Sequence, residues 1–270
     1  MAKEKKKNRF YYNDDFLGSP QGRSIRILSE YYGPLKKIKK NKIYDTIVFF
    51  GSARIKPRDK AEAYLKQLSP SASNKEKVRA KKDIEISRYY EDARQLAYKL
   101  TKWSKNLKSK KSRYIITSGG GGGIMEAANR GAKEADGISM GLTISLPFEA
   151  TSNEFISKDL DLKFHYFFMR KFWFIYLAKA LVVWPGGFGT LDEVMELLTL
   201  IQTKKIKKRL PIVLFGSDFW NSVVNWEYLV ECGTISEEDL DLFYISDSVD
   251  DAFDYIVKYI EEYKLKGPNF

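Results

Sequence analysis

The sequence predicts a doubly wound α/β fold, in which helices cover both faces of a parallel β-sheet. Three observations carry this. Short, continuously apolar runs of strand length alternate with segments of helical periodicity, the pattern of strands buried on both faces. Three of these runs end in glycine turns: Gly51-Ser52, Ser118 to Gly123, and Pro185 to Gly189. The chain has 270 residues, 44% of them hydrophobic and 14% aromatic, enough to fill the core of one large domain.

The elements follow in order. Residues 1–24 are a polar, Tyr-rich extension, and the folded domain is expected over 25–265. A short helix runs from Ser24 to about Tyr32, stopped by Gly33-Pro34. The first strand lies within 44–50, where Ile47-Val48-Phe49-Phe50 is continuously apolar. Residues 55–82 are polar and lysine-rich, and read as a loop with a helical piece. A helix over 83–104 places Ile86, Tyr90, Ala93, Leu96, Ala97 and Leu100 on one face. Next come strand 113–117, helix 123–135, strand 138–146 and an extended segment near 160–168. Helix 169–179, strand 180–184, helix 189–203 and strand 211–215 complete the alternation. Two helical stretches, 218–231 and 248–263, flank a short apolar run at 242–245. No internal repeat is present. Ligands of such sheets bind beyond the carboxyl ends of the strands, where the glycine turns fall.

Trp184-Pro185-Gly186-Gly187-Phe188-Gly189-Thr190-Leu191-Asp192-Glu193 carries the most chemistry. It joins a buried strand to a helix with Leu191, Val194, Met195, Leu198 and Ile201 at helical spacing. The first amides of a helix lack intrahelical acceptors, and the helix dipole favours an anion there. Gly186, Gly187 and Gly189 let the backbone approach such an anion, and Thr190 adds a hydroxyl. A phosphate cradle does not require Glu193, so a carboxylate one turn beyond it suggests catalysis. The second glycine run, Gly119 to Gly123, repeats the strand–turn–helix arrangement. It lacks the G-x-G-x-x-G spacing and strand-end acid of a dinucleotide site, and neither run is a P-loop.

Other classes are disfavoured. The single cysteine, Cys232, rules out an intramolecular disulfide, and the absence of a signal peptide suggests a cytoplasmic protein. No apolar run approaches the roughly 20 residues of a membrane span. One histidine and one cysteine cannot build a usual zinc site, so no metal is expected. The net charge of +11 is concentrated in lysine-rich runs at 3–7, 36–42, 105–113 and 204–209. These lie between elements rather than on one helix face, so they read as solvated surface that attracts anionic nucleotides, not as a nucleic-acid interface.

The segment around 169–179 is apolar nearly all round and should be buried. Arg170 stands at its start, and a buried guanidinium requires an anion. That anion is a bound phosphate or Glu193 on the next helix. His165, flanked by aromatics, reads as a core or rim residue rather than a base.

Together these residues resemble the LOG family, whose founding members are cytokinin-activating phosphoribohydrolases, often labelled lysine decarboxylases. Pro185 to Glu193 matches the signature P-G-G-x-G-T-x-x-E, and Arg170-Lys171 matches the family's upstream Arg-Lys pair. Ser118 to Ala132 resembles the second glycine motif, with Gly122 where proline is usual. Gly51-Ser52-Ala53-Arg54, Leu146-Pro147-Phe148-Glu149 and the stretch from Ser19 to Glu30 fit the longer bacterial branch. The resemblance covers roughly residues 18 to 257. It implies a Rossmann-like fold and hydrolysis of the N-glycosidic bond of a nucleoside 5′-monophosphate, AMP or a cytokinin nucleotide. The products are free base and ribose 5-phosphate. It places the catalytic pair on Arg170 and Glu193. Substrate binding falls on Gly51, Ser52, Gly119, Gly120, Gly121, Glu149, Lys171, Gly186, Gly187, Phe188, Gly189, Thr190 and Thr199. No cofactor is implied, and a homo-oligomer, at least a dimer, is expected.

Two other readings stand beside it. One is a non-catalytic carrier of a nucleotide or phosphorylated cofactor, which has no need of Glu193. The other is pyridoxal-phosphate-dependent lysine decarboxylation, which needs a Schiff-base lysine with a pyridinium partner.

Overall fold

One seven-stranded parallel sheet organises the computed structural model, which describes residues 9–107, 114–145, 152–207, 210–263 and 268–269. The first half of the chain holds α1 (Asp14–Gly18), α2 (Arg23–Lys40), β1 (Thr46–Phe50), α3 (Arg58–Gln67), α4 (Asn74–Ile86), α5 (Arg88–Asn106), β2 (Ile115–Ser118) and α6 (Ile124–Glu134). The second holds β3 (Ser139–Ile144), β4 (Asp161–Phe164), α7 (Phe167–Tyr176), β5 (Ala178–Val183), α8 (Phe188–Gln202), β6 (Ile212–Phe215), α9 (Ser217–Val223), α10 (Trp226–Glu231), β7 (Tyr244–Ser246) and α11 (Val249–Tyr263). Short 3-10 turns occupy Phe10–Tyr12 and Glu237–Leu242.

The strand order is β4-β3-β2-β1-β5-β6-β7, and every neighbouring pair is parallel. The chain winds outward from β1 to β4, returns to the centre at β5 and winds the other way. The order therefore reverses between β1 and β5, which opens a crevice at their carboxyl ends. Every residue of β1, β2, β5 and β6 is buried, so these strands show no polar alternation. The fold is the doubly wound, Rossmann-like α/β fold expected. No described helix is long and apolar enough to cross a membrane.

The structure departs from the sequence reading at α2. Gly33-Pro34 does not end it, and the helix continues to Lys40 with Pro34 inside and buried. Pro34 has no N–H to offer the carbonyl of Glu30 four residues back. Trp173 Nε1 supplies that hydrogen bond instead, at 3.0 Å. The same residue braces α7 from the other side, because the Glu30 carboxylate accepts the backbone N–H groups of His165 and Tyr166 at 2.7 and 3.2 Å. Tyr31 packs against Phe172 and Trp173. Thus α2 fixes the helix that carries Arg170.

Replacing Trp173 by Phe keeps a ring in the core but removes the donor to Glu30. We expect a loss of about 1–3 kcal/mol, the cost of a buried polar group left without its partner. Urea unfolding of Trp173→Phe against wild type measures it, and an unchanged midpoint contradicts the assignment.

Residues 55–82 are more ordered than a loop. They form α3 and most of α4, and Ser73 and Glu76 make a reciprocal capping box at the start of α4. The long helix expected over 83–104 is divided at Ser87, whose hydroxyl donates to Ile84 O. The stretch 218–231 divides at Val224-Asn225, where Asn225 caps the next helix through Tyr228 N. At the amino end of β5, Lys179 is fully buried and donates to the carbonyls of Leu177 and Ala178 and to Asn269 Oδ1, with Asp45 at 3.8 Å.

Candidate active site

A cavity of about 810 Å³ opens at the carboxyl ends of β1, β2, β3 and β5. Gly51–Arg54 follow β1 on its wall, and Gly119–Gly121 follow β2. Thr143–Ser145, Ser152 and Lys163 come from the β3–β4 side. Gly187–Leu191 and Glu193 come from the start of α8, and Phe167, Arg170 and Phe174 from α7.

The turn after β2 is held by side chains. Gly120 and Gly123 have φ of +76° and +61°, the region where glycine is favoured. A Cβ on Gly123 would stand 2.2 Å from the backbone oxygen of Ser52, so this turn packs directly on the turn after β1. Ile124 N donates to the same oxygen at 3.1 Å. Asn153 Nδ2 donates to the carbonyls of Gly120 and Gly121, at 3.1 and 2.9 Å. Ser118 Oγ donates to the buried Asn129 Oδ1 and receives Gly120 N–H.

The turn after β5 has a different logic. A Cβ on Gly187 or Gly189 would meet nothing within 4 Å, so both border open space. Gly186 is not on the cavity wall. A Cβ there would stand 2.2 Å from Thr190 Oγ1, so its glycine serves packing. Thr190 N and Leu191 N both donate to Gly187 O at 3.0 Å. The amides of Phe188 and Gly189 precede these bonds at the positive end of the helix. Phe188 is 93% exposed and stands on the rim.

Glu193 lies in the second turn of α8 and is only 4% exposed. Its Oε1 is 3.7 Å from Arg170 Nη2, and its Oε2 has no hydrogen-bond partner among the described residues. Burial pushes its carboxyl up to about 7, against the opposing pull of Lys171 and Arg170, while Glu196 and Asp192 add to the rise. Arg170 holds its guanidinium over the rings of Phe167 and Phe174, 5.2 and 5.6 Å from their centroids. Of the charged residues on the described wall, Arg54, Lys163 and Arg170 are cations and Glu193 is an anion. That balance suits an anionic ligand.

Gly51, Ser52, Gly119, Gly120, Gly121, Arg170, Gly187, Phe188, Gly189, Thr190 and Glu193 thus share one cavity. Lys171 and Thr199 are not on its wall. Lys171 Nζ is 2.9 Å from Asp192 Oδ2 and 2.7 Å from Glu196 Oε2. Asp192 and Glu196 therefore join α7 to α8, and both lie beyond the first helical turn. Thr199 is six residues past Glu193, about 240° round the helix after whole turns are removed. Its hydroxyl donates to Met195 O. Glu149 lies outside the described residues. His165 packs edge-on against Tyr166 and is not on the wall.

Sequence reasoning missed Arg54 and the β3–β4 wall. Arg54 had a signal, since it follows Gly51-Ser52 after a buried strand. Thr143 and Ser152 had none, because they meet only in three dimensions, where both hydroxyls donate to the carboxylate of Asp161. Asn153 was also missed, because its contacts with the glycine turn span some thirty residues of chain.

The fold and cavity together define an α/β protein with a cation-lined crevice at the switch point of its parallel sheet, a place suited to an anionic ligand. Residues 125–256 match the family model described as "Possible lysine decarboxylase". No curated protein matches the chain. Among solved structures, the X-ray structure of TM1055 is similar at 20% identity, over 81% of this chain and 99% of that one, with a TM-score of 0.46. The molybdenum cofactor carrier protein of Chlamydomonas reinhardtii is similar at 16% identity, over 80% and 98%, with a TM-score of 0.45.

Proposed function

We propose that the protein is a nucleoside 5′-monophosphate phosphoribohydrolase, which releases free base and ribose 5-phosphate from AMP or a cytokinin nucleotide. The observation that carries this is Glu193: a buried carboxylate with one unpartnered oxygen, on the cavity wall one turn beyond the glycine cradle. In this reading the 5′-phosphate sits on the amides at the start of α8. The helix rises about 1.5 Å per residue, so Glu193 lies roughly 6 Å along the axis from Gly189. A ribose spans a comparable length from its 5′-phosphate to C1′, which brings C1′ beside the carboxylate.

Cleavage of the C1′–N bond passes through an oxocarbenium-like sugar. The Glu193 carboxylate stabilises that cation and takes a proton from the attacking water. The water oxygen bonds to C1′, the C1′–N electron pair leaves with the base, and the base acquires a proton. A carboxyl that titrates near neutrality is matched to both accepting and returning a proton. Arg170 holds the phosphate or the Glu193 carboxylate. Assembly of at least two copies belongs to the same proposal, and light scattering measures it.

Lysine decarboxylation, the activity in the family model's description, draws no support from Lys171. A Schiff-base lysine must be available as the free amine. Against the downward pull of burial, Asp192 and Glu196 hold the Lys171 ammonium above its usual range.

The test is incubation with AMP in the presence of a chelator, with both products quantified. The reading predicts adenine and ribose 5-phosphate in equal amounts, with activity retained under chelation. Saturable AMP binding without either product supports the carrier reading instead.

A further inference from the structure

We infer that Lys171 is a positioning residue: paired with Asp192 and Glu196, it offsets the negative charge beside Glu193 from outside the cavity, and it does not touch the substrate. The inference rests on the hydrolase reading for its kinetic consequences, but its structural basis is independent of that reading.

Arg170 and Lys171 are neighbours on α7, yet about 100° of helical rotation separates their directions. Arg170 faces the cavity, whereas Lys171 is off its wall with its ammonium bonded to two carboxylates, at 2.9 and 2.7 Å. Those carboxylates come from Asp192 and Glu196, four residues apart on one face of α8. They bracket Glu193 in sequence, one before it and three after. Three acids within a turn repel one another, and the buried one has least solvent to screen it. Asp192 and Glu196 keep contact with solvent.

The charged groups that face Glu193 are Lys171 and Arg170 from α7, and Asp192 and Glu196 from its own helix. Without Lys171, Arg170 is left to oppose two neighbouring anions. Glu193 then holds its proton to higher pH. Lys171 thus acts on the reaction through Glu193. A lysine that contacted the phosphate would act on affinity.

The experiment compares Lys171→Met, Lys171→Arg and the triple variant Lys171→Met/Asp192→Asn/Glu196→Gln in full-length protein. Each is read by the pH profile of kcat/KM on AMP and by 13C NMR titration of the Glu193 carboxyl, assigned through its loss in Glu193→Gln. In Lys171→Met we expect the acidic limb and the carboxyl titration to move up by about one pH unit, a tenfold loss of rate on that limb. KM for AMP should stay within about twofold of wild type, as for an interaction that does not bind substrate. Lys171→Arg should restore most of the shift. The triple variant, which removes the two repelling charges along with the lysine, should restore it as well.

A KM increase of tenfold or more overturns the inference, whether or not the limb moves. An unmoved limb and carboxyl titration in Lys171→Met overturn it too, as does a triple variant that fails to restore them. If Lys171→Met does not fold, Lys171→Arg and the triple variant still decide. If wild type releases no adenine, the hydrolase reading falls, and the carboxyl titration alone reports whether Lys171 governs Glu193.

Discussion

Glu193→Gln is expected to bind AMP with near wild-type affinity and to lose turnover by at least about a hundredfold, the usual contribution of a positioned proton acceptor. The amide fills the same space, but it can neither take a proton from water nor stabilise a cationic sugar as an anion does. Initial rates of adenine release, together with equilibrium binding of AMP, measure both halves. The variant also carries a stability signature. Burial raises the Glu193 pKa in the folded chain to about 7, from the 4.5 of an ordinary glutamate. Between those values the native state binds more protons than the unfolded one, so this group's contribution to stability falls as pH rises through the window. The amide of the variant has no such titration. The stability difference between variant and wild type should therefore move in the variant's favour by about 3 kcal/mol from below pH 4.5 to above pH 7. Unfolding midpoints at both ends of that range check it. A pH-independent difference contradicts the burial argument, and near-normal turnover removes Glu193 from the chemistry.

Arg170→Ala is expected to damage both activity and stability. Its guanidinium is the cation 3.7 Å from a carboxylate that is 4% exposed. Truncation leaves that carboxylate in a dry wall with Lys171 as the remaining nearby cation. Breaking one side of a buried pair costs about 3–5 kcal/mol, and 15% exposure of the Arg170 side chain places this pair toward the lower end. Turnover should fall by a further route, because Glu193 then protonates more readily and is a weaker acceptor. Arg170→Lys should recover only part of either loss. Lysine lacks the planar fork, and it cannot lie over Phe167 and Phe174 as the guanidinium does. Urea midpoints and adenine release separate the two effects. If both variants match wild type, the ion pair has no role.

The sheet was legible because its central strands are apolar without alternation, as strands covered on both faces must be. The glycine turns were legible for a related reason: a buried strand feeding a helix through several glycines has few uses other than close approach. The meaning of each glycine was not. Gly187 and Gly189 border open space as a cradle requires, whereas Gly186 answers to Thr190 and Gly123 to the backbone of Ser52. Such reasons depend on what lies opposite, which local sequence does not encode. Pro34 shows the same limit, since its effect was cancelled by an indole 143 positions along the chain from the carbonyl it serves. The capping box at Ser73 and Glu76 was readable and was passed over because the lysine content of 55–82 suggested a loop. Lys171 and Thr199 came from resemblance alone. The structure turns the first toward two carboxylates and the second to the back of its helix.

Central to the proposed chemistry is a phosphate on the start of α8 that holds C1′ against Glu193. Adenine release from AMP and from adenosine, under identical conditions, tests it most directly. Binding energy from the remote phosphate should be used to position the reacting centre, so its loss must lower kcat as well as raise KM. AMP should be cleaved while adenosine is barely touched, with the deficit present in both parameters. Equal rates on the two compounds would contradict it.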